Sequence, residues 1–134
     1  MSRYLLDTNI LSDLMRNPRG TVRLAMDRIP GELVFTSIVV AAEIRFGAAK
    51  RGSARLSRQA EIVLAGMTVE PFAPPADQAY ADLRCALEAA GTPIGAFDML
   101  IAAHALALDA ILVTDNTREF GRVPGLKLEN WLRG

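Results

Sequence analysis

Four acidic residues lie among apolar neighbours or directly after an apolar run. Asp7 and Asp115 each follow a short aliphatic run of the kind that forms a buried strand. Glu43 and Asp98 lie within apolar stretches of helical length. Because an unpaired acid among apolar residues is costly, these four side chains are the first candidates for a functional site.

Three of these acids fit a site for a divalent cation. Residues at the carboxyl ends of parallel strands line the crevice where ligands bind, so Asp7, Glu43 and Asp98 are expected to meet there. Carboxylates in one crevice repel each other and raise at least one pKa, and a divalent cation relieves that repulsion. An all-oxygen set suits Mg²⁺, with Mn²⁺ as the alternative. Cys85 is the only cysteine, which argues against a structural zinc site.

Such a site indicates hydrolysis of a phosphodiester. Bound Mg²⁺ lowers the pKa of a water molecule, orients it on phosphorus and stabilises the departing oxygen. The sequence contains no GxGxxG, GxxxxGK[ST] or GxSxG motif, so dinucleotide, nucleoside-triphosphate and serine-hydrolase chemistry lack their signatures. Taken singly, Asp98 also fits a first-turn acid favoured by the helix dipole and Asp7 fits an N-cap, and both structural interpretations stay open.

Composition predicts one folded domain over residues 1–134. The chain is 51% hydrophobic and 22% charged, with 15 basic and 15 acidic residues, which excludes a disordered chain and disfavours a strongly basic nucleic-acid binder. With three acids neutralised by a metal, however, the rest of the chain is mildly basic. The apolar stretch 99–108 is too short to cross a bilayer and the N-terminus lacks a signal peptide, so a soluble cytoplasmic protein with no membrane association is expected.

Short apolar runs alternate with helical patterns along the chain. Helices are predicted at residues 10–15, 22–29, 37–50, 53–64, 76–90 and 96–108, and strands at 3–6, 33–36, 68–72, 110–114 and 126–129. Thr8 and Asn9 are the predicted caps of the first helix, and Pro71 limits residues 68–72 to an edge strand. The helix at 96–108 is apolar on nearly all sides and should be central. This order predicts an α/β fold with a parallel sheet and helices on both faces.

Four segments resemble the PIN-domain nucleases, and within them the VapC-type toxins of bacterial toxin–antitoxin pairs. They are LLDTNI at 5–10, SIVVAAEIRFG at 37–47, GAFDMLIAAHA at 95–105 and LVTDNTREF at 112–120. The resemblance implies a three-layer α/β/α PIN-like fold with a mostly parallel central sheet of four to five strands. It also implies a Mg²⁺-dependent endoribonuclease that acts on an RNA substrate, forms a homodimer and is blocked by a cognate antitoxin protein in a higher assembly.

By this resemblance, Asp7, Glu43 and Asp98 match the family's three central acids, as metal ligands and as the catalytic residues. One of them is also expected to accept the proton of the attacking water. Many family members place a fourth acid where this chain has Asn116, while Asp115 lies one residue earlier and is an additional candidate ligand. Adjacent residues leaving a strand point in opposite directions, so only one of this pair is expected to face the metal.

Other polar residues are candidates for supporting roles. Asn9, Thr114 and Asn116 fit residues that orient the ligands through hydrogen bonds, although Asn9 fits a turn or capping residue equally well. His104 lies about 120° around its helix from Asp98, which favours a buried structural histidine over a general base. A further group, Arg16, Arg45 and Arg51, belongs to basic runs that fit either RNA phosphate binding or a solvated face.

Two other function classes remain as alternatives. One is a non-cleaving DNA-binding partner of a regulatory complex built on the same scaffold. The other is a phosphoryl-accepting signalling domain with Asp7 as the acceptor, which requires a lysine near the crevice. Neither Lys50 nor Lys127 is well placed for that role.

Overall fold

A computed structural model describes residues 2–133. Five parallel strands form one central sheet. They are β1 (Tyr4–Leu6), β2 (Val34–Ser37), β3 (Thr68–Glu70), β4 (Ile111–Val113) and β5 (Lys127–Glu129). Their order across the sheet is β3-β2-β1-β4-β5, which places β3 at an edge as predicted. The predicted α/β class and parallel sheet are therefore confirmed.

Helices connect the strands and cover the sheet. They are α1 (Thr8–Arg16), α2 (Thr21–Met26), α3 (Ile38–Arg51), α4 (Ala54–Ala65), α5 (Ala76–Ala90), α6 (Ala96–Ala107) and α7 (Thr117–Phe120), with a 3-10 turn at Gly31–Leu33. The four-residue helix α7 was not predicted, because it is too short to show a helical period. None of the helices between residues 2 and 133 is long and apolar enough to cross a membrane.

The structure decides between the two predicted caps of α1. The side chain of Asp7 accepts the N–H of Thr8 at 2.8 Å, so the N-cap is Asp7, one of the predicted alternatives, rather than Thr8 or Asn9, and the helix begins two residues earlier than predicted. Ser37 caps α3 in the same way through the N–H of Val39 at 3.0 Å. Asp7 directly follows β1 and Ser37 is the last residue of β2, so each cap fixes the direction in which its helix leaves the sheet.

The chain changes direction across the sheet beside β1. The first connections run outwards from β1 to β2 and then β3, and the chain then returns through α5 and α6 to β4 on the other side of β1. Since such crossovers are right-handed, α1–α4 cover one face and α5–α6 the other. Helix α1 packs against α3 and α4, and α5 packs on α6. The carboxyl ends of β1 and β4 therefore flank a topological switch point, where open α/β sheets bind ligands.

The core lies between the sheet and the helices on either side of it. Leu5, Leu6, Phe35, Leu112 and Val113 from the central strands have no exposed surface. Residues 101–105 of α6 are also buried, so the prediction of a central apolar helix is correct for this part, although Phe97 at its start is 53% exposed. Buried strands that end together at the switch point give the polar residues after them a rigid support.

Candidate active site

A cavity of about 510 Å³ lies at the switch point between β1 and β4. It is lined by Asp7, Thr8, Asn9, Ser12, Arg16, Glu43, Asp98, Asp115, Asn116 and Leu132. All four acids singled out in the sequence reach this cavity, from four different places in the chain. Chain topology, rather than local sequence, brings them together.

Asp7 is buried and held by three hydrogen bonds. Its Oδ1 accepts the N–H of Thr8 at 2.8 Å, and its Oδ2 accepts the Thr114 hydroxyl at 2.7 Å and the Asn9 amide at 3.3 Å. Burial raises the pKa of Asp7 above its usual value, and these three bonds oppose that rise. A carboxylate has about four lone-pair sites, so Asp7 can still accept a cation. Capping α1 and binding a metal are compatible roles for this side chain.

Glu43 reaches the cavity from the second turn of α3. Its Oε1 accepts the hydroxyl of Thr8 at 2.8 Å, which ties this helix to the start of α1. Thr8 is thus bonded to two of the acids, through its backbone N–H to Asp7 and through its hydroxyl to Glu43. The bond supplies a polar partner for an acid on a largely apolar helix.

Asp98 lies in the first turn of α6, and its pKa is raised more strongly than that of Asp7. Burial, followed by the nearby charges of Asp7, Glu43 and Glu119, raises the pKa of Asp98 to about 6. Repulsion within the group of acids, expected from the sequence, is therefore present at this carboxyl. The positive end of the α6 dipole favours the charge of Asp98 but does not offset its neighbours.

The pair Asp115 and Asn116 both line the cavity, although only one of them was expected to face the metal. The Asp115 carboxylate is engaged from the other side: its Oδ1 accepts Asn130 at 3.0 Å and Arg133 at 2.9 Å. Arg133 accordingly lowers the pKa of Asp115. Asn116 donates its backbone N–H to the Thr114 hydroxyl at 3.0 Å. Asp115 is thus paired with the C-terminal segment, whereas the other three acids have no cationic partner within residues 2–133.

Asn9 and Thr114 join the ends of β1 and β4. The Asn9 amide donates to Asp7 and, at 3.4 Å, to the hydroxyl of Thr114, while the Asn9 oxygen accepts the backbone N–H of Asp115 at 2.9 Å. This small network fixes the orientation of the Asp7 carboxylate. Both residues therefore contact the atoms that their predicted supporting role requires.

The three predicted RNA-binding arginines lie in different surroundings. Arg16 lines the acidic cavity, and Arg51 lines an adjoining one. Arg45 instead lies on the outer surface, where its guanidinium binds both oxygens of Glu61 on α4 at 3.0 Å. The structure therefore brings Arg16 and Arg51 near the acids and does not bring Arg45 there.

Some residues near the site were missed in the sequence, and one was interpreted correctly. Glu119 influences Asp98 from the short helix α7, which has no periodic signal, and Leu132 reaches the cavity from the C-terminal segment. His104 is 2% exposed, its Nδ1 lies 2.7 Å from the Ser37 hydroxyl, and burial lowers its pKa. His104 is the buried structural histidine that was predicted.

The donor set at the cavity suits a hard divalent cation. Asp7, Glu43 and Asp98 offer only oxygen, and burial followed by the charges of neighbouring acids raises the pKa of Asp98, so a bound cation would favour the charged form of that carboxyl. Across residues 2–133, no three Asp, Glu, His or Cys side chains converge closely enough to form a complete cage for one ion. A cation such as Mg²⁺, which usually keeps several waters and takes one or two carboxylates directly, does not require such a cage.

Comparison with known proteins adds independent evidence. Residues 4–126 match the sequence profile of the PIN domain. The chain is 35% identical over 130 residues to "Ribonuclease VapC2" of Rickettsia felis, covering 96% of this chain and 97% of that protein. It is 33% identical over 135 residues to "tRNA(fMet)-specific endonuclease VapC" of Shigella flexneri, covering 98% and 99%.

A solved structure shows the same fold. The crystal structure of VapBC2 from Rickettsia felis bound to a DNA fragment from their promoter superposes with a TM-score of 0.88 at 32% identity. The match covers 96% of this chain and 98% of that one. The likeness therefore extends over nearly the whole chain, and it confirms the three-layer α/β/α arrangement.

Proposed function

This chain belongs to the PIN domain family, and we propose that it is a divalent-metal-dependent endoribonuclease that acts as the toxin of a toxin–antitoxin pair. The observation that carries the proposal is the meeting of Asp7, Glu43 and Asp98 at one cavity, with the pKa of Asp98 raised to about 6 by burial and by its neighbours' charges. The relatives named as ribonucleases support a nuclease, and the full-length match supports one nuclease domain over residues 1–134.

Asp7, Glu43 and Asp98 would hold Mg²⁺, with Mn²⁺ as the alternative ion. The bound cation supplies Lewis acidity to the attacking water and to the departing oxygen of the phosphodiester. The site's own residues set the geometry: Thr114 and Asn9 orient Asp7, and Thr8 orients Glu43. Asp115, paired with Arg133, has at most a secondary part in this set.

One of the three carboxylates also accepts the proton of the attacking water. Without a cation, burial and the charges of Asp7, Glu43 and Glu119 raise the pKa of Asp98. A cation held by the three carboxylates opposes that rise, so the raised pKa does not by itself select Asp98 as the base.

Partners follow from the relatives by analogy. The similar structure is a VapBC assembly, so we expect a cognate antitoxin protein that covers the acidic cavity and holds the toxin inactive. Exposed apolar side chains, Leu24, Phe46, Ile62 and Phe97, offer surface for that partner and for a homodimer. The substrate is RNA, as the names of the relatives suggest, and the compartment is the cytoplasm.

A DNA-binding role in a regulatory complex stays as a second candidate. The similar VapBC2 assembly was crystallised with a DNA fragment from its promoter, which favours DNA binding by the assembly as a whole. Three acids at one cavity bring no advantage to a protein that only binds phosphates, because they repel them. We therefore assign DNA binding to the toxin–antitoxin complex and cleavage to this chain alone.

The test is RNA cleavage by the purified protein in Mg²⁺ and in EDTA, with Asp7→Asn and Asp98→Asn as site variants. Asp77→Asn is the matched control, since Asp77 is an exposed first-turn acid of α5, away from the cavity. We expect cleavage only in Mg²⁺, loss of cleavage in both site variants and full cleavage in the control. Equal cleavage by wild type and by both site variants would refute the proposal.

A further inference from the structure

A second cavity adjoins the acidic one and has no part in the mechanism described above. It measures about 300 Å³ and lies between α1, α3 and the start of α4. Four of its lining residues, Thr8, Ser12, Arg16 and Glu43, also line the acidic cavity. The two cavities are therefore adjacent, and a ligand that extends beyond the catalytic acids on this side reaches the second one.

The floor of the second cavity is apolar. Met15, Ile44, Ala48 and Leu56 form it, and Ile44 and Ala48 are only 6% and 5% exposed. The volume is at the lower limit of small-molecule sites, which range over about 300–1,000 Å³ and are mostly apolar with a few polar groups. A flat group of the size of one base fits such a cavity better than a chain of charged groups.

Two arginines stand at the rim of the cavity. Arg16 and Arg51 are exposed there, and neither takes part in the ion pairs formed between residues 2 and 133. By contrast, Arg45 on the same helix as Arg51 is paired with Glu61. Free guanidinium groups beside an apolar cavity suit a phosphate or the face of a base.

The carboxylates of the adjacent acidic cavity explain why cationic side chains are needed in the second cavity. A phosphodiester chain that crosses the acidic cavity is repelled by Asp7, Glu43 and Asp98 wherever a metal does not screen them. Arg16 lies at the junction of the two cavities, where the next phosphate along the chain would run. Charge complementarity and the position beside the acids therefore both indicate a phosphodiester chain as the occupant of the second cavity.

We propose that this second cavity, between α1, α3 and α4, binds the nucleotide next to the cleaved phosphodiester in single-stranded RNA. The unpaired base enters over Ile44 and Ala48, and Arg16 and Arg51 bind the flanking phosphate. Proteins recognise single-stranded RNA through unstacked bases in this way. The inference rests on the proposed endoribonuclease function and adds a base-binding subsite to it.

Gly47 offers a way to close the cavity without disturbing the fold. It lines the cavity from α3, and a Cβ atom built there meets nothing within 4 Å. A Gly47→Leu side chain therefore has room to extend into the space meant for the base, and leucine is a better helix former than glycine. Gly31→Leu is the control, because Gly31 also has open space around it and lies in the 3-10 turn before β2.

The experiment compares cleavage of oligoribonucleotides that contain one scissile bond, either intact or with an abasic residue directly 5′ or 3′ of that bond. In wild type and in Gly31→Leu, we expect one of the two abasic substrates to lose about tenfold in kcat/KM, the size of one lost base contact. In Gly47→Leu, the intact and abasic substrates should be cleaved with equal, reduced efficiency. An unchanged abasic penalty in Gly47→Leu would overturn the subsite.

Arg51→Gln provides a second variant that does not depend on filling the cavity. We expect it to raise KM for the intact oligoribonucleotide while kcat stays unchanged. The slope of log KM against the logarithm of the salt concentration should decrease by about one. If Gly47→Leu and Arg51→Gln weaken only the binding of an antitoxin protein and leave RNA cleavage intact, the cavity belongs to the protein partner and the subsite is refuted. If wild type fails to cleave RNA in Mg²⁺, the proposed function itself falls, which this design separates from failure of the subsite.

Discussion

Replacing Asp98 with asparagine is expected to stabilise the metal-free protein at pH 8. Burial and the charges of Asp7, Glu43 and Glu119 raise the pKa of Asp98 to about 6 in the folded state, against 3.8 for the unperturbed group. Between these two values the folded state binds more protons than the unfolded state, so the free energy of unfolding falls as the pH rises. Well above pH 6 the destabilisation is complete, and a neutral amide of the same shape removes it.

The magnitude follows from the difference in pKa. About 2 units correspond to a ceiling of about 3 kcal/mol at pH 8. Asp98 is only half-buried, and solvent screening reduces this to about 1 kcal/mol. For a domain of this size that gain raises the Tm by about 3–5 °C. At pH 5 the gain should fall to about half, because wild-type Asp98 is then largely protonated in the folded state.

The assay is thermal unfolding of both proteins in EDTA at pH 8 and pH 5. Asp77→Asn is the control, since Asp77 and Asp98 are each the first-turn acid of a helix and both substitutions lose the same favourable helix-dipole interaction. At pH 8 the Tm of Asp98→Asn should be higher than the Tm of Asp77→Asn. Added Mg²⁺ should then raise the Tm of wild type by mass action and leave that of Asp98→Asn nearly unchanged. If Asp98→Asn lowers the Tm at pH 8 as much as Asp77→Asn does, the reasoning from crowded charges is wrong.

Three further predictions concern residues around the acids. Thr114→Val removes the hydroxyl that donates to Asp7 at 2.7 Å, so the pKa of Asp7, followed by NMR titration in EDTA, should rise by about one unit. An Asp7 titration that matches that of the exposed control Thr68→Val would contradict this. Asp115→Asn should retain at least about tenfold more cleavage activity than Asp98→Asn, because the Asp115 carboxylate is already paired with Arg133 and Asn130. Equal losses of cleavage rate in single-turnover assays of the two variants would make Asp115 a full member of the site. His104→Ala should cost about 2–4 kcal/mol in urea unfolding, since it opens a buried cavity and leaves the Ser37 hydroxyl with only the N–H of Val39 as a partner. A loss below about 0.5 kcal/mol, or no partial recovery in His104→Gln, would contradict the buried role.

Much of the fold and the main acids could be predicted from the sequence because their signals are local. A short aliphatic run that ends in an acid identifies both β1 with Asp7 and β4 with the residues after it. The apolar character of α6 likewise makes Asp98 conspicuous. Parallel strands then require these ends to meet at one edge of the sheet, so the location of the cavity follows from the order of the elements.

The remaining details depend on contacts between residues that are far apart in the chain. Whether Asp115 is free is decided by Arg133, 18 residues away, and the surroundings of Arg45 are decided by Glu61 on the next helix. Glu119 contributes to the charge on the site from a helix of only four residues, too short to produce a pattern. A basic run in the sequence cannot distinguish an arginine that faces the cavity from one that pairs on the outer surface.

The central claim is that a divalent cation held by Asp7, Glu43 and Asp98 contacts the phosphodiester that is cleaved. The most direct measurement is single-turnover cleavage of an RNA with sulfur in place of one non-bridging oxygen at the scissile bond, in Mg²⁺ and in Mn²⁺. Sulfur is a poor ligand for Mg²⁺ and a better one for Mn²⁺. We predict that one of the two sulfur diastereomers is cleaved far more slowly than the oxygen substrate in Mg²⁺ and recovers in Mn²⁺. Equal rates for both diastereomers and for the oxygen substrate in Mg²⁺, or undiminished cleavage in EDTA, would contradict the account.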